Sequence, residues 1–327
     1  MKIKKDSSFP FVRWIILLSV LLFFMVNAYL HQNPLIIGKT ASVCALCPVG
    51  GIESFLYWIR NGYFIHRIAL SSLILLISII VTSFLFRRSF CGQFCPFGTL
   101  QEIFGNWGKK IKGIKTYRAS VKQDSFRWIK YLVIAAFIIF PWFTSTLFFR
   151  AVDPWVAFAH ITTPEIFGAF LWGFIVLVFC LVGSFIWDRF FCKYLCPLGG
   201  FLSILSPMGA FRIVRNEETC ISCNKCNLAC PMNIDVSHLK EIRDPECIMC
   251  FQCIDVCPKE ECLTIQSKKG AKVSKTMIAL STFLIIIGFV IVTTFSGHFQ
   301  WFKGQDSGSG EHLNHQTNQI SSDRLSE

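Results

Sequence analysis

Cys220-Ile-Ser-Cys223-Asn-Lys-Cys226-Asn-Leu-Ala-Cys230-Pro231 is followed by Cys247-Ile-Met-Cys250-Phe-Gln-Cys253-Ile-Asp-Val-Cys257-Pro258. Each run places three cysteines two residues apart and a fourth ahead of a proline. That spacing suits a 4Fe-4S cubane: the three close cysteines wrap one corner of the cluster, and the fourth reaches the other cluster. The expected ligand sets are therefore crossed. Cys220, Cys223, Cys226 and Cys257 hold one cluster, and Cys247, Cys250, Cys253 and Cys230 hold the second. Structural zinc also uses Cys-x-x-Cys pairs, but a doubled four-cysteine run ending in Cys-Pro weighs strongly against it.

The pattern is that of a bacterial two-cluster ferredoxin, an α+β unit that carries single electrons and does no bond chemistry, because every iron already has its thiolate. Cys262 falls outside the pattern and reads as an ordinary small residue.

Outward from this segment the chain becomes a membrane protein. Of 327 residues, 53% are hydrophobic and 16% charged, against roughly 25% charged in soluble domains. The mean hydropathy is +0.51. Five uncharged stretches, near residues 14–30, 68–86, 131–149, 168–187 and 276–295, have about the 20 residues that a span needs. The sixteen cysteines do not suit a small secreted disulfide framework, because the chain is too long and too apolar.

Of the 32 Lys and Arg residues, 26 fall in 1–13, 87–130 and 188–275. Basic residues stay on the cytoplasmic side. The N-terminus and the ferredoxin segment are therefore expected in the cytoplasm, with 31–67, 150–167 and the polar, disordered tail outside. The net charge of +12 then reads as juxtamembrane contact with anionic lipid, with no nucleic-acid partner.

A second motif recurs at the membrane: Arg88-Ser-Phe-Cys91-Gly-Gln-Phe-Cys95-Pro96-Phe-Gly98 and Arg189-Phe-Phe-Cys192-Lys-Tyr-Leu-Cys196-Pro197-Leu-Gly199. Each copy follows a span running from outside to inside, so both meet one membrane face. Three chemistries stay open for Cys91, Cys95, Cys192 and Cys196: a third cubane, redox-active dithiols, or a copper(I) site. Arg88 and Arg189 offset negative charge there or simply anchor span ends. A looser copy, Cys44-Ala-Leu-Cys47-Pro48, is a weaker metal or redox candidate, the plain alternative being a turn into an interfacial helix over 52–59. Cys180 reads as packing. No histidine pair suited to haem b lies within the spans, and no dinucleotide or Walker loop occurs.

These features together, over most of residues 1–265, resemble the NapH-type membrane polyferredoxins, whose relatives include quinol dehydrogenase subunits, nitrous-oxide-reductase regulators and cytochrome oxidase accessory proteins. The fifth span and outer tail depart from the family's four-span pattern.

The expected fold is an all-α polytopic membrane protein of about five transmembrane helices with an inserted α+β ferredoxin segment. Its parts are a membrane domain over 1–206, the ferredoxin domain over 207–272, a fifth span over 273–297 and a polar tail over 298–327. The resemblance implies a multi-pass protein of the bacterial cytoplasmic membrane. It would pass electrons between quinone or quinol and a partner redox enzyme subunit through two 4Fe-4S clusters, with a third cluster at the repeated motif as a further expectation. The alternatives are a copper- or thiol-handling assembly factor for a respiratory metalloenzyme and a redox-sensing regulator.

Overall fold

The computed structural model describes residues 8–32, 47–61, 69–111, 126–144, 152–161, 166, 168 and 170–295. Cys44, the polar tail and much of the basic segment 109–130 lie outside the described residues.

The described chain is mostly helical. Five apolar helices overlap the predicted spans: α1 (Phe9–Gln32), α3 (Ala69–Phe86), α6 (Ile129–Thr144), α8 (Leu171–Ile186) and α13 (Lys275–Phe295). Among the described residues, two stretches are long and apolar enough to cross a membrane, Phe9–Leu30 in α1 and Lys275–Val292 in α13. The apolar parts of α3, α6 and α8 are shorter. Helix α1 begins ahead of the predicted span, with Pro10 in its first turn, where a missing N–H costs nothing. The expected helix over 52–59 extends to Pro48–Asn61 (α2), which packs along α3.

The two copies of the repeat fold alike. Helix α3 leads through Arg88 into α4 (Ser89–Gln93) and then α5 (Pro96–Lys109). Between them, α7 (Pro154–Ala159) forms a short turn capped by Asp153. Helix α8 leads through Arg189 into α9 (Phe190–Tyr194) and then α10 (Pro197–Leu205). In both copies a cysteine caps the last helix, and proline takes its first position. The thiols of Cys95 and Cys196 accept hydrogen bonds from the N–H groups of Gly98 at 3.4 Å and Gly199 at 3.2 Å.

The ferredoxin segment carries an antiparallel sheet in the order β2–β1–β3–β4, from β1 (Phe211–Arg215), β2 (Glu241–Ile242), β3 (Leu263–Ser267) and β4 (Lys272–Val273). Ile213 pairs with both Ile242 and Ile265, all buried, so the sheet's apolar face closes under the cysteine loops. Helices α11 (Lys225–Ala229) and α12 (Gln252–Asp255) carry the loops' cysteines.

Candidate metal centres

The ferredoxin loops are built by matching backbone turns. Ser222 and Asn224 in the first loop and Met249 and Phe251 in the second all have φ between 49° and 62°. This left-handed backbone costs energy in non-glycine residues, and the same two positions adopt it in each loop. The turns bring the cysteines together in crossed groups. Cys220, Cys223, Cys226 and Cys257 line one small cavity of about 20 Å³, with Cys262 at its edge. Cys230 and Cys253 lie close enough to Cys247 and Cys250 for their charges to interact.

The paired membrane motifs also converge. The thiol of Cys196 feels the charges of Cys192, Cys91 and Cys95, so the two copies bring four sulfurs to one place. Burial pushes the Cys95 thiol up to about 12, with the neighbouring Cys192 and Cys91 adding to it. Burial likewise raises Cys192, against the pull of Arg189. Free thiols in this setting stay protonated at neutral pH and make poor nucleophiles, whereas metal binding would make them thiolates. None of the fifteen described cysteines is in a disulfide.

Two arginines cross between the copies. Arg189 Nη1 lies where a Cβ on Gly98 would come within 2.9 Å, and Arg88 Nη2 lies equally close to a Cβ on Gly199. Each guanidinium therefore rests on the Cys-Pro-x-Gly turn of the opposite copy, and glycine is needed there for the approach.

Buried carboxylates pin both arginines from behind. Arg189 pairs with Glu102 at 2.7 Å, which also takes Arg13 at 2.7 Å and a hydrogen bond from Gln252 Nε2. Arg88 pairs with Glu246 at 2.9 Å, beside Lys130. Burial alone would raise the Glu102 carboxyl, but Arg189 and then Arg13 outweigh it and hold it at about 2.

The donor set fits an anionic cluster. Arg88 Nε and Nη2 and Arg189 Nε are buried with no hydrogen-bond partner among the described residues. Orphaned charged donors are costly unless an acceptor meets them, and the sulfurs of a thiolate-bound cubane are such acceptors. Among the described residues, no three of His, Cys, Asp and Glu converge tightly enough to hold one metal ion. A cubane is held from its corners, so its ligands stand further apart than those around a single zinc or copper. Gln101 steadies the second copy by donating to Cys192 Sγ at 3.5 Å and accepting from the Phe191 N–H at 3.0 Å.

The ferredoxin segment sits directly on the first membrane motif. A Cβ on Gly92 would lie 2.2 Å from the Ile248 carbonyl oxygen, so the two backbones touch. Gln93 Nε2 donates to the Met249 carbonyl at 2.9 Å, and Arg87 Nη2 to the Asp244 carbonyl at 2.6 Å. The loop of Cys247, Cys250 and Cys253 thus faces the membrane motif, while Cys223 of the other set is exposed.

Cys47 is buried, and its thiol points to Asp153 Oδ2 at 4.0 Å. Cys180 is fully buried in α8. The sequence reading missed Glu102, Glu246 and Gln101. For Glu102 and Glu246 an acidic residue near a cysteine motif was the only signal, Gln101 had none, and partners some 90 to 160 residues away cannot be paired by pattern.

Comparison with known proteins matches the same regions. A family model described as a 4Fe-4S binding domain covers residues 68–115 and 169–215, the two membrane repeats. One described as a 4Fe-4S dicluster domain covers 212–258. The chain is thus an electron transport protein with 4Fe-4S binding domains.

Similar proteins include YccM of Escherichia coli (strain K12), named for electron transport, at 29% identity over 73% of this chain and 68% of the relative. An uncharacterized protein of Methanocaldococcus jannaschii is 31% identical over 66% of this chain and 84% of its own length. The ferredoxin-type protein NapH of Haemophilus influenzae is 26% identical over 53% of this chain and 60% of the relative. The chain belongs to the NapH-type polyferredoxin family. No solved structure matches it.

Proposed function

We propose that this protein is a multi-pass subunit of the bacterial cytoplasmic membrane that passes electrons between the quinone pool and a partner redox enzyme. The observation that carries the reading is the contact of Gly92 and Gln93 with Ile248 and Met249, which sets the Cys247–Cys253 loop against the Cys91–Cys95 turn. Cys91, Cys95, Cys192 and Cys196 would hold a membrane cluster. Cys247, Cys250, Cys253 and Cys230 would hold the next, and Cys220, Cys223, Cys226 and Cys257 the outermost, toward the partner. Such clusters supply one-electron transfer without bond chemistry.

The division into a membrane domain over 1–206, a ferredoxin domain over 207–272, a fifth span over 273–297 and a tail fits this role. Five spans are supported by exposed apolar side chains on all five apolar helices, such as Leu22, Ile77, Ile139, Val182 and Val292. Large exposed apolar surfaces of this kind belong against lipid. The charge asymmetry of the loops supports a cytoplasmic ferredoxin domain. The unpartnered donors of Arg88 and Arg189, whose guanidinium groups rest on the two Cys-Pro turns, support an anionic cubane over neutral dithiol chemistry.

The chain's own residues bury the sites from water, cross-link the repeats through Arg88 and Arg189, and fix the ferredoxin loops on the membrane motif. Anaerobic addition of a short-chain quinol to the purified, iron-loaded protein tests the reading. Reduced-cluster EPR signals are expected; their absence with both ubiquinol and menaquinol analogues would overturn it.

A further inference from the structure

An apolar cavity of about 680 Å³ lies within the helical part, walled by residues of α1, α6, α8 and α13 together with both Cys-Pro turns. Cys95, Cys192 and Cys196 form part of its wall, and Asp153 and Trp155 another part. Its volume falls in the range of small-molecule sites, which are mostly apolar with a few placed polar groups.

The polar groups here are few and of a definite kind. The Trp155 indole Nε1 is buried and has no hydrogen-bond partner among the described residues. The Asp153 carboxyl caps α7 by accepting from the Trp155 N–H at 2.9 Å, and its second oxygen meets the Cys47 thiol. The Trp155 ring is clamped by Phe24 at 4.2 Å and lies 6.4 Å from Phe97, two residues beyond Cys95. An acyl chain offers nothing to an unpaired indole N–H. A flat ring with carbonyl or hydroxyl oxygens and an apolar tail matches it.

We propose that this cavity binds the ring of an isoprenoid quinone or quinol, with Trp155 Nε1 donating to a ring oxygen, the Asp153 carboxylate accepting from a hydroxyl of the quinol form, and the Cys-Pro turns forming the adjoining wall. The assignment rests on the quinone reading above and adds its location. Trp155 and Asp153 orient the ring, Phe24 and Phe97 fix the indole, and the tail follows the apolar walls toward lipid.

The test uses the full-length, iron-loaded protein in nanodiscs and a photoreactive azido-quinone, with decyl-ubiquinone as competitor. Crosslinks are expected in residues 152–158 and 90–97, lost on competition. Val176→Trp, which fills the cavity from α8, should weaken quinone binding at least tenfold at unchanged iron content. Trp155→Phe keeps the ring but removes one donor and should weaken it about fivefold, the worth of one neutral hydrogen bond. Should Val176→Trp lose iron, the crosslink map and Trp155→Phe carry the test. Wild-type affinity in both variants, or crosslinks confined elsewhere, would overturn the cavity while leaving the quinone reading intact. No binding and no quinol-driven reduction in the parent protein would overturn that reading and the cavity with it.

Discussion

The ferredoxin segment and the paired membrane turns gather the same kind of ligand in opposite surroundings. In the outermost ferredoxin group the thiols are exposed or half-buried, and the Cys220 thiol is lowered, chiefly by the Ser222 N–H. In the membrane group, burial raises Cys95, Cys192 and Cys196, and ion pairs from three parts of the chain stand behind them. The first arrangement is mixed: the Cys220 thiol is lowered while burial raises Cys226. The second has its framework of Arg–Glu pairs, and metal must supply the driving force for thiolate formation. The group of Cys247, Cys250 and Cys253 lies between, buried yet part of the ferredoxin loop.

That middle position makes Cys250→Ser the most damaging change. It removes a ligand of one cluster, and the crossing through Cys230 and Cys257 ties the neighbouring cluster to the same small fold. Iron per chain should fall by four or more, with the ferredoxin EPR signals of both clusters altered. Unchanged iron would break the crossed assignment.

Cys91→Ser with Cys192→Ser separates the two regions more cleanly. The ferredoxin segment has its own sheet and cysteine loops, and the Arg88–Glu246 and Arg189–Glu102 pairs include neither Cys91 nor Cys192, so the double change should leave that segment folded. Iron is expected to drop from about twelve to about eight per chain, four for each cubane, with the ferredoxin signals intact. Iron that stays at about eight in parent and variant alike, with reactive thiols in the parent protein, would reduce the membrane motif to thiol chemistry.

How much of this was legible beforehand follows the range of each interaction. The cysteine spacings are local and name the ferredoxin loops directly, and hydropathy marks the apolar helices because composition over about 20 residues suffices. The repeat of Arg88–Gly98 at Arg189–Gly199 was visible, but its crossed use was not: Arg189 lies on Gly98 and Arg88 on Gly199 only because the tertiary fold sets the copies face to face. Glu102 and Asp153 have no place in either cysteine pattern. Their burial depends on what packs around them, which no spacing records.

Glu102→Gln probes the framework itself. The variant keeps the shape but leaves Arg13 and Arg189 without a counter-charge, and breaking a buried ion pair typically costs about 3–5 kcal/mol. The pH dependence has a definite sign. The carboxyl is held at about 2, below its ordinary 4.5, so its stabilisation is complete above about pH 4.5 and is lost as pH falls toward 2. Thermal melts of the parent protein should therefore lose stability on acidification below about pH 4.5, and Glu102→Gln should lack that component. Parallel acid profiles for the two proteins would place the stabilising charge elsewhere.

The smallest expected effect tests the orphaned donors. Arg88→Lys keeps a positive charge opposite Glu246 but replaces a rigid five-donor fork with a compact ammonium, so the unpartnered Nε donor and the Nη2 donor near Gly199 disappear. Hydrogen bonds to cluster sulfurs favour the reduced, more negative state, and their loss should lower the midpoint potential. For a one-electron couple 59 mV corresponds to a tenfold change, so losing one such bond amounts to a shift of some tens of mV. Potentiometric EPR should show this shift in the membrane cluster alone, with both ferredoxin potentials unmoved. An unchanged membrane potential in Arg88→Lys, together with a lowered one in Arg88→Gln, would mean that charge and not directed N–H donation sets it. A shift in the ferredoxin signals instead would mean that Arg88 acts through Glu246 on the neighbouring Cys247 loop, and the two regions would then have to be treated as one electrostatic unit.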